Sequence, residues 1–471
     1  MKKSNYLTLQ DITLSIVSMV LTVVFARVLT KEAYGMYSQV FLIVGFTSAL
    51  VGSAIPMGLS YFYGQYKSFT QRQLLFKRFF ITFKFMALFM GGVFLVFNDT
   101  ISNAFSNNFI VEYKYLIFIL IVFSIVNGFF KNFSLLTNRL KKYLMVSFVV
   151  MLSMLILQVI NILSFNDMFY TFLLFTFAQI FMYFLLVIDL KKYMLLSGKN
   201  MFISIKELKY ILPISIIGIV GISNELIDQF MVSFMLDPLA LAELKVGSFR
   251  VPFIGALTIA TVTVLIPIFS KLISENKENE IIQQWNRAIQ KTTVLLLPIF
   301  VFSLIFAYQI IGLLFSNKYE IAPLIFQIYT IKYFLTVVTF GSVMGAIGLQ
   351  KEWLNNFLIV TVVNIVANYF AIKHYGILGA VTVTAAVQYF GSYLMIAKIS
   401  KRLNCSFSDY FPYRHYLKVL IVSLFYTLVF YTTFRYFNLD FIWVVPIAIG
   451  YYLVVVYTFD KKFEYIKRGI V

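Results

Sequence analysis

Charge is scarce in this sequence. Only 13% of its 471 residues are Asp, Glu, Lys or Arg, while 61% are hydrophobic and the mean hydropathy is +0.86. A soluble domain carries roughly a quarter charged residues, so the deficit excludes a chain that hides its apolar side chains inside a water-facing globule. Cysteine is nearly missing: Cys405 alone excludes an intramolecular disulfide and a cysteine-built metal site. The only histidines, His374 and His415, fall in separate expected loops, which argues against a histidine-centred triad or metal cluster. The phosphate-cradling pattern G-x-x-x-x-G-K-[ST] does not occur, so the chain encodes no nucleotide motor of its own. No cofactor is expected.

Long apolar runs fill the chain instead. A bilayer core takes roughly 20 apolar residues per helix. Reading runs against charged or turn-forming breaks predicts an all-α membrane protein of about fourteen spans. They lie near 9–29, 38–62, 80–97, 115–133, 144–164, 169–189, 211–235, 249–271, 293–315, 323–349, 354–373, 377–399, 416–436 and 442–459. Aromatic residues reach 18%, with 53 Phe and 31 Tyr; Phe suits hydrocarbon, and Tyr suits the headgroup boundary where its hydroxyl stays wet. Met1-Lys2-Lys3 leads into an apolar span without a small-residue cleavage site, so the first span is expected to be a retained helix.

The formal net charge of +19 comes from Lys and Arg scattered through short loops, with no basic domain for nucleic acid. Alternate loops carry them. One set holds Lys67, Arg72, Lys77 and Arg78; Arg139, Lys141 and Lys142; Lys191 to Lys209; Lys271 to Lys291; Lys351; Lys398 to Arg414; and Lys461 to Arg468. The other set offers little beyond Lys31, Lys114, Lys245, Lys318 and Lys373. By the positive-inside rule the rich set is cytoplasmic, and an even span count puts both termini there.

The chain also repeats itself. Leu29-Thr30-Lys31-Glu32-Ala33-Tyr34-Gly35 opens span two, which ends in Ala54-Ile55-Pro56; Leu239 to Gly247 opens span eight, which ends in Leu265-Ile266-Pro267. Asn138-Arg139-Leu140-Lys141-Lys142 lies opposite Gly348-Leu349-Gln350-Lys351-Glu352. The offset is about 210 residues, the period of six helices, so both copies enter the membrane in the same direction. The expected organisation is a six-helix bundle over 1–190, a cytoplasmic linker over 191–210, a second bundle over 211–400, and two additional spans with a tail over 401–471. Two parallel-repeat bundles around a central cleft are an alternating-access architecture.

At these residues the sequence resembles the polysaccharide flippases of the multidrug/oligosaccharidyl-lipid/polysaccharide exporter superfamily. Ala26-Arg27-Val28-Leu29-Thr30-Lys31-Glu32-Ala33-Tyr34-Gly35-Met36-Tyr37 is similar to the family's first external loop. Gly345 to Lys351, then Asn364, Asn368, Tyr369 and Tyr375-Gly376-Ile377-Leu378-Gly379-Ala380, resemble its tenth-to-twelfth-helix region. Asp228 with Lys245-Val246-Gly247 resembles the entry to the second bundle. The resemblance covers about 1–400. It implies transfer of an undecaprenyl-pyrophosphate-linked oligosaccharide across a bacterial cytoplasmic membrane, for O-antigen, lipopolysaccharide, capsule or a related glycan. The implied partners are that polyprenyl pyrophosphate, membrane lipids, and a glycan polymerase or other assembly proteins. A drug/cation antiporter and a lipid II flippase of the same superfamily are the rival transporters. A membrane glycan polymerase is a rival enzyme, disfavoured by the lack of a sizeable external loop.

Ionisable groups at membrane depth are costly and are functional candidates by default. Lys332 falls near the middle of span ten, facing either a wet cavity or a partner helix. Arg27 and Arg250 lie near external ends of spans one and eight, and Lys84 and Lys131 toward cytoplasmic ends; each could snorkel instead. Glu225 and Asp228, three apart on span seven, are ion-coupling candidates, with a structural ion pair as the alternative. Asp11 is read as interfacial. Cations outnumber acids in this set, which favours an anionic substrate such as a pyrophosphate over an organic cation.

Overall fold

The computed structural model describes residues 16–52, 55–194, 202–250, 254–275 and 277–463. Asp11, Lys199, Pro252, Lys467 and Arg468 lie outside them. Among the described residues the chain is helical, with no strand, and a helix occupies every expected span. In order they are α1 Ile16–Val28, α2 Lys31–Gly52, α3 Ile55–Gln65, α4 Phe69–Phe105, α5 Phe109–Glu112, α6 Lys114–Leu136, α7 Leu140–Ser164 and α8 Met168–Met194. Then come α9 Ile205–Met235, α10 Pro238–Gly247, α11 Ile254–Ser274, α12 Glu278–Ile305, α13 Ala307–Phe315, α14 Ala322–Tyr333, α15 Phe340–Ala346, α16 Gln350–Leu403, α17 Phe407–Tyr410, α18 Tyr413–Tyr436 and α19 Val444–Phe463. Both histidines sit in helices, His374 in α16 and His415 in α18, rather than in loops.

Hydropathy sees only the greasy middle of a helix, and the polar ends run further. Span three, expected over 80–97, belongs to the 37-residue α4. Ser68 starts it by accepting from the Gln71 backbone N–H at 3.2 Å, an N-cap contact. Ser106, at φ 49°, stops it. Helix α16 has 54 residues, about 80 Å at 1.5 Å per residue and far more than one bilayer. Gly376, at φ 58° and ψ −141°, divides it. The Asn356 amide donates to the Gly391 carbonyl at 3.2 Å across 35 residues, so the two arms fold back as an antiparallel hairpin. These are spans eleven and twelve.

The helices form two compact units, Met1–Ala242 and Glu243–Val471. In the first, α4 packs on α6, α6 and α7 on α8, and α2 on α6 and α9. Helix α9 therefore packs with the first unit, whereas the repeat assigns it to the second copy; the repeat describes sequence correspondence, and the unit describes contact. In the second, α12 packs on α18, α11 on α15, and α14 on α16. The last pair of spans is part of this core. Tyr451 of α19, 1% exposed, donates its hydroxyl to the Pro298 carbonyl of α12 at 3.0 Å and lies 5.3 Å from the Phe302 ring.

The repeat is written in the backbone as well. Left-hand-side φ values fall at Ser106 and Ser316, at Asn138 and Gly348, and at Asn166 and Gly376, each pair about 210 residues apart, as expected of two copies of one helical unit. Gly35 and Gly247 share another property. A Cβ at Gly35 would overlap the Pro238 carbonyl, and one at Gly247 would overlap Ile325. Gly35→Ala and Gly247→Ala should each destabilise by about 1–3 kcal/mol, the range for overpacking. Gly45→Ala, in the same α2 with open space around its Cβ, should be neutral or slightly stabilising. Thermal unfolding in detergent compares the three.

Candidate functional site

Span ten is where the backbone leaves the α-helix. Helix α14 ends at Tyr333, a 3-10 turn covers Phe334–Val338, Thr339 takes φ 52°, and α15 resumes at Phe340. Broken helix at membrane depth requires donors from elsewhere for its freed carbonyls. Three are supplied within the second unit. The Tyr389 hydroxyl donates to Ile331 O at 2.8 Å, the Thr292 hydroxyl to Val337 O at 2.7 Å, and the Trp285 indole N–H to Val338 O at 2.7 Å. Trp285 is fully buried and stacks on Tyr410 at 4.2 Å. The break is thus held open by side chains of α12 and α16.

Lys332 sits in the last turn of α14, directly before this break. It is half-buried, with Nζ 4.3 Å from the Tyr329 ring centroid and 5.6 Å from that of Tyr333. Two aromatic faces and the carbonyl end of a half-helix both favour a cation there. At the other end of α14 the buried Glu243, 2% exposed, accepts the Ala322 backbone N–H at 2.7 Å. A carboxylate at the N-terminus and an ammonium at the C-terminus complement the dipole of this short helix. Sequence reasoning found Lys332 but missed Glu243, whose target lies 79 residues away.

The other candidates are distributed. Arg250 is exposed in the connection after α10, outside any helix, and Arg27 is exposed in the last turn of α1. Lys84 of α4 lies 4.9 Å from the Phe80 ring and 5.4 Å from the Tyr183 ring. Phe80 in turn lies 5.8 Å from Phe130, the neighbour of Lys131 on α6. The structure therefore seats Lys84 in an aromatic cluster that includes Phe80, Phe130 and Tyr183. It does not give Glu225 and Asp228 a common environment: Asp228 is 6% exposed while Glu225 is exposed.

A buried ion pair escaped the sequence reading. Glu207, 1% exposed, meets Arg78 at 2.6 Å, tying the start of α9 to α4. Glu207 also closes a capping box, receiving the Ser204 N–H at 2.6 Å while Ser204 receives the Glu207 N–H at 3.3 Å. The pattern Ser204-x-x-Glu207 is visible in sequence; its distant partner is not. Among the described residues no group of His, Cys, Asp and Glu is arranged to hold a metal ion. Burial, and secondarily the charge of Asp409, push the Cys405 thiol above its ordinary pKa, which makes it a poor nucleophile.

These features define a many-helix membrane fold, and solved structures share it. A lipid II flippase, MurJ, in an inward closed conformation matches with TM-score 0.75 over 97% of this chain and 100% of that one, at 19% identity. An inward-facing multidrug resistance MATE family transporter of the MOP superfamily matches with TM-score 0.53 over 85% and 99%, at 14% identity. A MOP superfamily transporter from Pyrococcus furiosus, described for the reverse polarity of its binding pocket, matches with TM-score 0.53 over 85% and 95%, at 13% identity. A family model described as polysaccharide biosynthesis protein matches residues 24–323. The chain belongs to that family. No curated protein matches it in sequence.

Proposed function

We propose that the protein moves an undecaprenyl-pyrophosphate-linked oligosaccharide from the inner to the outer face of a bacterial cytoplasmic membrane by alternating access. The observation that carries this reading is the interrupted span ten with Lys332 at its break. Discontinuous helices near the bilayer midplane build substrate sites in transporters of this kind, and a cation held there suits a pyrophosphate or an acidic sugar. The family and the fold agree with a transporter rather than an enzyme. In this proposal Arg27, Arg250, Lys84 and Lys131 add positive potential along the headgroup path, the polyprenyl tail stays in lipid, and both termini are cytoplasmic. Membrane lipids, and a glycan polymerase acting on the delivered product, are the partners.

Reconstitution into proteoliposomes tests it. Transfer of a polyprenyl-pyrophosphate oligosaccharide to the outer leaflet is the expected result. The similarity to a lipid II flippase favours one competing cargo. Rescue of a strain depleted of its lipid II flippase, without transfer of an oligosaccharide unit, would reassign the substrate. Glu225 and Asp228 are proposed to couple an ion gradient. Neutral Glu225→Gln and Asp228→Asn should each alter the pH or sodium dependence of transport; identical profiles would make both acids structural.

A further inference from the structure

The transport proposal leaves one charged cluster unused, at the end of the α7–α8 pair that the loop charges assign to the cytoplasmic side. Asp189 of α8, 15% exposed, pairs with Arg139 at 2.8 Å and with Lys142 at 2.9 Å. Those two cations keep 37% and 47% of their side-chain exposure. Lys141 and Lys191 are exposed on the same end. A single shielded acid thus fixes two of four cations and leaves the cluster strongly positive.

Below the cations the same helices present apolar side chains outward. Met145, Phe148 and Leu152 recur on one exposed face of α7, and Phe181, Phe184 and Ile188 on one exposed face of α8. The two helices pack together, so the cations crown an apolar strip. A soluble anion has no use for such a strip. An amphiphile with an anionic head and hydrocarbon chains uses both parts.

The second copy of the repeat supplies an internal comparison. About 210 residues on, at the corresponding step of the parallel repeat, Arg139, Lys142 and Asp189 are replaced by Leu349, Glu352 and Ile399. The positive-inside rule asks only for basic residues. It does not account for Asp189, which lowers the local charge while fixing where two cations point.

We propose that this end of α7 and α8 is an inner-leaflet site for an anionic glycerophospholipid. Its phosphodiester is held by Arg139 and Lys142, oriented by Asp189, while Lys141 and Lys191 widen the positive rim and the acyl chains lie along the apolar strip. Basic clusters at this depth recognise phosphate headgroups. The proposal rests on the membrane reading and is independent of what is transported.

The test uses the full-length protein in nanodiscs of phosphatidylglycerol and phosphatidylethanolamine, with retained lipid measured by native mass spectrometry. Preferential retention of phosphatidylglycerol is expected. Asp189→Asn adds one positive charge but frees the two cations, and it should weaken retention about five-fold, the effect of losing one well-placed cation. Tighter retention would overturn the site in favour of diffuse attraction. Lys141→Gln with Lys191→Gln, both at exposed positions, should weaken retention a few-fold; no change would also overturn it. Lys351→Gln, at the corresponding place in the second copy, should leave retention unaltered. Soluble glycerophosphoglycerol should not compete, and competition equal to that of the lipid would remove the apolar strip from the argument. Displacement by undecaprenyl phosphate at lower mole fraction would replace the phospholipid with the transported lipid and overturn the proposal.

Discussion

Lys332→Ala is expected to abolish transport while leaving the protein as stable as the wild type, or slightly more so. The opposite signs follow from what holds the ammonium. A lysine at the centre of a spanning helix costs about 2.5–3.5 kcal/mol on insertion scales. The ring faces of Tyr329 and Tyr333 return about 0.5–2 kcal/mol, and the carbonyl end of α14 returns about 0.3–1 kcal/mol. Removing the charge is therefore close to neutral for folding. A fall in transfer of about a hundred-fold would correspond to about 2.7 kcal/mol of lost stabilisation of the rate-limiting state. Lys332→Arg keeps the charge and should retain part of the activity. Outer-leaflet delivery in proteoliposomes, measured beside thermal unfolding in detergent, separates the two effects. Wild-type transfer by Lys332→Ala would remove this residue from the mechanism.

Glu207→Ala should produce the largest loss of stability in the first unit, about 3–5 kcal/mol, the cost of leaving one member of a buried ion pair alone. It strands Arg78 and opens the capping box at the start of α9. Glu207→Gln retains a side chain that serves the box and an oxygen for Arg78, so it should lose about 1–2 kcal/mol, near the value of a hydrogen bond to a charged group. A double-mutant cycle with Arg78→Met isolates the pair term. A coupling below about 1 kcal/mol would make the contact equivalent to a surface ion pair.

The contrast between these residues explains how much was readable beforehand. Apolar length and loop charge located all the spans, because each span must satisfy lipid locally. Lys332 was readable for the same reason: a charge within an apolar run is anomalous wherever the chain folds. Interruption of span ten was not readable. Phe334 to Val338 carries no glycine or proline, and the carbonyls are freed because Thr292, Trp285 and Tyr389 are present to receive them. Arg78 and Glu207 are 129 residues apart, and the sequence reading placed Arg78 only among the basic cytoplasmic residues. Asp228 and Glu225 shared a helix face on paper; only packing against neighbours distinguishes a 6% exposed Asp228 from its exposed companion. The last two spans looked like an appendage because they lie outside the repeat, yet Tyr451 fastens them to α12.

The paired positive φ values bear on how the two copies correspond. Asn138 corresponds to Gly348, and Asn166 to Gly376; in each case the residue differs while φ stays positive. Asparagine and glycine are the residues that enter positive φ most readily, so the two copies differ in residue at these turns while keeping the sign of φ. At these positions the correspondence between the two copies lies in a permitted φ rather than in matching letters.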